Sequence, residues 1–544
     1  MQLLHFKLAE TPLNTPNRYQ HISNDIASIL QHTNGEFEYV DIDVGANDIP
    51  FFEPTPDIVL HMASILPKST FPQERINDFS LGVILPSEKY CCDRPIRIDS
   101  RPANVKIYGL EGIRNTIYYH GNCRVCKMKH YYSYCENKDR FRRFKEQGSQ
   151  KYFVISTGIG FTTKFLDRVS LDVSIGNTPF SKIASIYNNQ FSLATTQELD
   201  PDILECNWLI YRLSGYVKDI CWERNVSNSH LNTEKICLGV YEQLKNIVDS
   251  KWLKHTCMET GCARKMVVID GNEKLYRYCC AKPFERVTGG KGEVNCVHRC
   301  VNNPVRGNKR KENSELCEFH LTGSPSPVYV SSNIDIRPIT RNYAKMLEET
   351  ITTNIGCKDE KNINKYERRT AGMFYIFRSC GIRLGHYEMI SAESLSSVFT
   401  FLIDTFGTAP SIADIMGIIY DRACDLYPYI KRLADENNVA AIKFASLKYI
   451  VDVFHSEKHT QPKCTLAHPE CKYHPDLAEF KEERNMNMNI AEQSFHLLNP
   501  YKHITRNMTY GKRLCLLKII DDDYNSRLEK KLHLIQSDKQ FIAV

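Results

Sequence analysis

No run of this sequence approaches about 18 apolar residues, so no segment reads as a membrane-spanning helix. The start, MQLLHFKLAETP, lacks a basic stretch followed by an apolar core, which argues against a secretory signal and for an intracellular protein. A marked excess of one charge is also lacking. Lys and Arg number 70 against 64 Asp and Glu, and a net +6 says little about partners. No DNA-binding domain can be identified near the start. Residues 1 to 85 mix turn-rich pieces, AETPLNTPN and FFEPTPD, with one predicted helix around NDIASILQH. The His-Glu-x-x-His of zinc metalloproteases is missing too, because Ser456, Glu457 and Lys458 stand between His455 and His459.

What is present is an ordinary globular composition, 42% hydrophobic and 25% charged, on a 544-residue chain. That length suggests roughly three or four domains. Cysteine is the exception, at 21 residues. In a reducing interior, clustered Cys and His bind zinc more often than they form disulfides. Cys123 and Cys126 form the first pair, with Cys91, Cys92, His120, His130 and Cys135 as candidate partners. The strongest spacing is Cys296-x3-Cys300-x16-Cys317-x2-His320, four ligands for a closed structural site, with His298 as a spare outer group. Cys257, Cys262, Cys279 and Cys280 form either another site bridging two predicted strands or a set of buried thiols. His455, His459, Cys464, Cys471 and His474 offer five ligands for four places.

Hydrophobic patterning predicts a packing helix over 232–255, then strands at 265–270 and 274–279 and a cysteine-rich stretch to about 330. A strand at 372–378 follows, with a helix at 392–406 capped by Ser391, and then a strand at 416–421. A helix at 426–438, a strand at 446–454 and a helix at 490–498 complete the series. With the cysteine-rich insertion set aside the order is βββαβαβα. This is the order of a ribonuclease H-like α/β fold, a mixed sheet with helices on both faces.

Functional groups in open α/β sheets gather at the carboxyl ends of parallel strands. Asp270 ends the first predicted strand, Asp421 ends another, and Glu492 lies on the last helix. Such carboxylates can hold Mg²⁺ or Mn²⁺. Two ions roughly 3.5–4 Å apart would clamp both reacting oxygens of a phosphoryl transfer. Each acid alone has a blander account. Asp-Gly suits a turn, Asp421 and Asp425 compete to cap a helix, and Glu492 favours a helix N-terminus. Three basic stretches, RFRRFK (140–145), RGNKRK (306–311) and KHITRNMTYGKR (502–513), can neutralise phosphates or simply solvate a surface.

The stretches VVIDGNEKLYR, SELCEFH, RTAGMFYIFRSCGIRLGHYEM, YDRACDLYP, VDVFHSEKHTQPKC and NIAEQSF together resemble the Kyakuja-Dileera-Zisupton (KDZ) transposases, particularly their invertebrate branch. The resemblance covers about residues 85–530. It implies a ribonuclease H-fold DDE transposase with cysteine-rich insertions, in which Asp270, Asp421 and Glu492 are the three acids. Glu482 and Glu483 are alternatives for the third. His455, His459 and Cys464 match the family's His/His/Cys group.

The implied organisation is an N-terminal α+β region without assigned role (1–85), a zinc-ribbon-like segment (86–150) and an α+β accessory region (151–256). A catalytic domain (257–530) with insertions at 279–330 and 455–474 follows, then a tail (531–544). The implied function is metal-dependent DNA cleavage and strand transfer in the nucleus, with catalytic Mg²⁺ or Mn²⁺ and structural Zn²⁺. DNA is the expected partner, with a homo-oligomer assembled on it. The competing expectation is a domesticated, non-catalytic, zinc-stabilised DNA- or chromatin-binding protein.

Overall fold

The structure is a computed structural model. It describes residues 82–99, 103–145, 150–155, 158–191, 197–221, 229–258, 262, 265–279, 285–287, 296–298, 369–389, 395–407, 415–456, 472–483 and 486–542. The chain divides into two compact units, Met1–Val240 and Tyr241–Val544. Among the described residues no helix is long and apolar enough to cross a membrane.

The first unit holds two larger sheets and a helical layer. A mixed five-stranded sheet runs in the order Gly82–Ile84, Gly112–Tyr118, Ala103–Gly109, Ile159–Thr162, Tyr152–Val154. An antiparallel six-stranded sheet runs Asp219–Cys221, Phe141–Phe144, Tyr134–Glu136, Lys129–His130, Gly121–Asn122, Arg97–Ile98. The helices Thr163–Ser174, Phe180–Gln190 and Pro201–Ser214 follow. Their starts have local causes. Thr162 Oγ1 accepts from the Phe165 N–H at 3.2 Å, and Asp200 caps the last helix with Pro201 in its first turn. Leu166, Val169, Leu204 and Trp208 are buried, and the Trp208 indole donates to Ser170 Oγ at 3.0 Å.

The second unit is built on one mixed sheet of five strands. These are β1 (Met266–Asn272), β2 (Gly372–Arg378), β3 (Arg383–Met389), β4 (Gly417–Tyr420) and β5 (Lys448–Ile450). Their order in the sheet is β3-β2-β1-β4-β5. β2 is antiparallel to both β1 and β3, whereas β1, β4 and β5 are mutually parallel. β2, GMFYIFR, is buried at every position, as expected of a central strand covered on both faces. Helices α2 (Leu395–Phe406), α3 (Ala423–Asp435), α4 (Ile490–Leu498) and α5 (Tyr510–Ile542) pack on it, and α1 (Ser229–Leu253) belongs to this unit from Tyr241 onward.

The element order therefore differs from the expected one in one place. Residues 274–279 are not a strand; the chain turns after Asn272, whose side-chain oxygen accepts from the Lys274 N–H at 3.1 Å. The third antiparallel strand is β3, and the cysteine-rich insertion lies between β1 and β2. Sequence patterning passed over β3 because Arg383, His386 and Glu388, all polar, are buried in it. The expected strand at 446–454 is shorter as well, since the chain enters a helical turn at Val453–Ser456. Ser391, the expected cap, lies outside the described residues.

Candidate functional site: a carboxylate edge and two cysteine clusters

The parallel strands bring two of the predicted acids to one edge. Ile269 is in register with Tyr420, so Asp270 is followed across the sheet by Asp421. Ile419 is in register with Ile450, which continues the same row to Asp452. Asp452 is buried. Sequence reasoning missed it because the strand was drawn through it; ended at Ile450, the strand delivers its acid to the same carboxyl edge.

The Gly271 N–H donates to Asp270 Oδ1 at 2.7 Å, fixing that side chain against the backbone. Further along, Asn272 Nδ2 donates to Asn499 Oδ1 at 3.1 Å, tying the end of β1 to the residues after α4. α4 packs by Phe495, whose ring lies 6.2 Å from Tyr375 and 5.8 Å from Phe377 on β2. Glu492, in the first turn of α4, is exposed. Among the described residues two groups of three or more Cys, His, Asp or Glu have ligand atoms within 4.8 Å of one another, and both are cysteine-rich. Asp270, Asp421 and Glu492 do not form a third.

The alternative acids are otherwise engaged or elsewhere. Asp425 pairs with Arg422 at 3.3 Å. Glu483 is buried against Lys448 at 3.2 Å, at the amino end of β5 and away from the row of aspartates. Glu482 is exposed.

Beside the end of β1, a hollow of about 300 Å³ is lined by Lys274, Tyr276, Arg369, Lys502, His503 and Arg506, with Glu273 also on its wall. The Arg369 guanidinium lies 4.5 Å from the Tyr276 ring centroid, a stacking that holds a cation at the surface. The basic stretch 502–513 therefore divides. Its first half faces the hollow, whereas Lys512 and Arg513 are buried and Arg513 pairs with Glu388. The stretch 140–145 is likewise committed in part, to Arg142–Glu136, Arg143–Asp219 and Lys145–Glu88 pairs. The stretch 306–311 lies outside the described residues.

The first cysteine cluster belongs to the first unit and takes Cys91, Cys92, Cys123 and Cys126, all within 4.8 Å. Each pair sits on a tight turn. Cys92 and Asp93 adopt positive φ between two short paired strands, Tyr90–Cys91 and Arg94–Pro95. On the other side the Lys127 N–H donates to the Cys123 carbonyl at 3.1 Å, and the Cys123 N–H to the Met128 carbonyl at 2.9 Å. Cys91 Sγ lies 3.5 Å from Cys126 Sγ and 3.9 Å from Cys92 Sγ. Thiolates bound tetrahedrally to one zinc at about 2.3 Å would be roughly 3.8 Å apart, so the spacing fits that ion. Burial opposes ionisation of Cys123, yet the backbone N–H groups of Cys126 and Val125, together with hydrogen bonds from the Cys126 and Cys91 thiols, outweigh it and bring that thiol down to about 6. The remaining candidates have other partners: His120 pairs with Asp99, His130 with Glu88, and Cys135 Sγ lies 3.7 Å from the Arg143 carbonyl.

The second cluster, in the second unit, joins Cys257 and Cys262 to His255 and Cys380 rather than to Cys279 and Cys280. The reason is the turn after Asn272. Cys257 and Cys262 precede β1, and the β2–β3 turn returns Cys380 to that end, whereas Cys279 follows the other end. Roughly 3.3 Å per residue separates those ends by about 20 Å. Cys279 is buried outside the group, and Cys280 lies outside the described residues.

For the other predicted ligands, Cys296 lies in a short strand, Cys296–His298, paired with Glu285–Val287. His455 lies in the turn Val453–Ser456. His474 Nδ1 accepts from the Asp476 N–H at 3.2 Å. Cys300, Cys317, His320, His459, Cys464 and Cys471 lie outside the described residues.

No curated protein and no solved structure matches the chain. A family model does match residues 83–191, under the description "CxC5 like cysteine cluster associated with KDZ transposases". That stretch contains all four cysteines of the first cluster, and the match bears out the resemblance to KDZ transposases in a part of the chain away from the acids. Residues 83–191 are thus similar to a CxC5 like cysteine cluster, a module described as associated with KDZ transposases.

Proposed function

We propose that the chain is a DDE-type DNA transposase that cleaves DNA and joins the freed 3′ end to a target, in a metal-dependent way and in the nucleus. The sheet order β3-β2-β1-β4-β5, with β2 antiparallel, supports a ribonuclease H-like fold for its catalytic unit. The observation that carries the reading is the row Asp270, Asp421 and Asp452 along one carboxyl edge, beside a basic hollow.

The donor set fits a hard divalent cation, because aspartate oxygens are its preferred ligands and Mg²⁺ needs only one or two of them. Asp270 and Asp421 would hold it, with Glu492 reaching in from α4. Bound there, Mg²⁺ or Mn²⁺ supplies Lewis-acid stabilisation of charge on the phosphoryl oxygens. Lys502 and Arg506 bind the neighbouring phosphates and orient the strand. Asn272, held by Asn499, keeps α4 and its glutamate at a set distance from β1. The cysteine sites hold Zn²⁺ in a structural role. Cys296, Cys300, Cys317 and His320 remain our proposal for a further site, as does a set drawn from His455, His459, Cys464, Cys471 and His474.

The test is nicking of supercoiled plasmid DNA by the full chain with Mg²⁺ or Mn²⁺. Asp421→Asn is expected to lose nicking by a factor of at least about 100 while binding DNA as the parent does. Equal nicking by parent and variant would sink the assignment. A second reading, a non-catalytic zinc-stabilised DNA-binding protein, has one observation in its favour: among the described residues Asp270, Asp421 and Glu492 do not gather within 4.8 Å of one another as the cysteine groups do. It predicts binding with no nicking in any metal.

A further inference from the structure

We propose that His255, Cys257, Cys262 and Cys380 bind one zinc ion, and that Glu529 positions the histidine for it. The inference does not depend on the transposase reading. It also replaces the ligand set that spacing alone suggested, in which Cys279 and Cys280 completed the site.

The geometry is that of a built site. The four ligand atoms all lie within 4.8 Å of one another. His255 Nε2 faces Cys380 Sγ at 3.6 Å, while its Nδ1 lies 3.3 Å from Glu529 Oε1. A carboxylate at Nδ1 fixes the tautomer with that nitrogen protonated, so the Nε2 lone pair is directed at the thiols. Zinc-bound histidines characteristically make this second hydrogen bond to a carboxylate or carbonyl. His255 and Cys262 are buried, and three thiols with one imidazole form a soft sulfur-rich donor set that selects a tetrahedral ion such as zinc.

The site joins segments that are distant in sequence. His255 and Cys257 follow the end of α1, Cys262 leads into β1, and Cys380 sits in the β2–β3 turn beside Gly381, whose φ is +98°. α5 supplies the outer group. Its Asp522, two turns before Glu529, accepts from the Trp252 indole at 2.8 Å and from Lys251 at 2.9 Å. Asp249 pairs with Lys518 at 2.8 Å along the same contact. The end of α1 is thus held to α5 on one side and to the hairpin turn on the other. A zinc ion would close that junction at the end of β1 opposite Asp270 and fix the strand from behind.

Zinc content per chain, measured on full-length protein purified under reducing conditions, tests the assignment. Cys380→Ser and Cys257→Ser are each expected to lose one zinc per chain, and Cys279→Ser to lose none. Loss of one zinc in Cys279→Ser with retention in Cys380→Ser would overturn the proposal. Cys380→His keeps a ligand and guards against misfolding. In the cobalt-loaded chain it is expected to remove one sulfur-to-metal charge-transfer contribution, and an unchanged cobalt spectrum would contradict the site. Glu529→Gln should keep the zinc but weaken it by about 10- to 100-fold. Unaltered affinity would remove Glu529 from the account.

Discussion

Glu388 is buried in β3 and accepts from both Nε and Nη2 of Arg277 at 3.2 Å, while Arg513 approaches from α5. Burial alone would raise its pKa, but the two guanidiniums outweigh that and lower it. Removing the carboxylate leaves two buried cations facing each other. Glu388→Ala is therefore expected to cost about 3–5 kcal/mol, read as a drop in the denaturant midpoint. Next to it, His386 Nδ1 lies 2.7 Å from Asp521 Oδ2. Burial lowers the His386 pKa, and the histidine hydrogen bond lowers that of Asp521 against the effect of its own burial. Each folded-state pKa lies below its unfolded value, so each contribution is present above the unfolded pKa and is lost as pH falls. Stability is expected to decline first below about pH 6.5, through His386, and again through the carboxylate range. A His386→Gln variant should lose the upper step; an identical pH profile would contradict the assignment.

At the scale of elements, legibility followed polarity. β2 and α4 were readable to the residue, because GMFYIFR is an unbroken apolar run and IAEQSFHLL has helical spacing. β3 was not, because Arg383, His386 and Glu388 lie inside and their partners, Arg277, Arg513 and Asp521, lie more than a hundred residues away along the chain. Local pattern cannot show such compensation. Asp452 was hidden by a boundary error, since only the register of β4 and β5 brings it into the row of acids. The zinc pairings were legible only in part. Cys123 and Cys126 lie close in sequence, but choosing Cys91 and Cys92 over His120 and His130 needed the two facing turns. Cys126→Ser is expected to reduce zinc content by one per chain and to lower the melting temperature. A parent-like zinc content would remove the cluster from the account. Gly372 is a further element-scale constraint. It has φ +142° and a Cβ there would meet the Asn272 carbonyl at 2.3 Å, so Gly372→Ala should disturb the end of β1 as well as β2.

For the whole molecule, charge does less than its position. A net +6 over 544 residues says little about partners, yet Lys274, Arg369, Lys502, His503 and Arg506 converge on one hollow beside the carboxyl end of β1. Lys502→Ala and Arg506→Ala are each expected to weaken DNA binding across sequences and to reduce the salt slope of affinity by about one. The buried Lys512 should leave that slope unchanged when replaced. The two units answer different questions. The first carries the stretch similar to a CxC5 cysteine cluster, and the second carries the acids to which we assign cleavage.

Loading the full chain with Fe²⁺ in place of Mg²⁺, then adding ascorbate and peroxide, cuts the backbone wherever a bound iron lies within reach. Fragment masses should map to the ends of both β1 and β4, near Asp270 and Asp421, and both cuts should vanish in Asp421→Asn. Fragments confined to the cysteine clusters, or a pattern unchanged in Asp421→Asn, would contradict a shared metal at the carboxylate edge and with it the transposase mechanism.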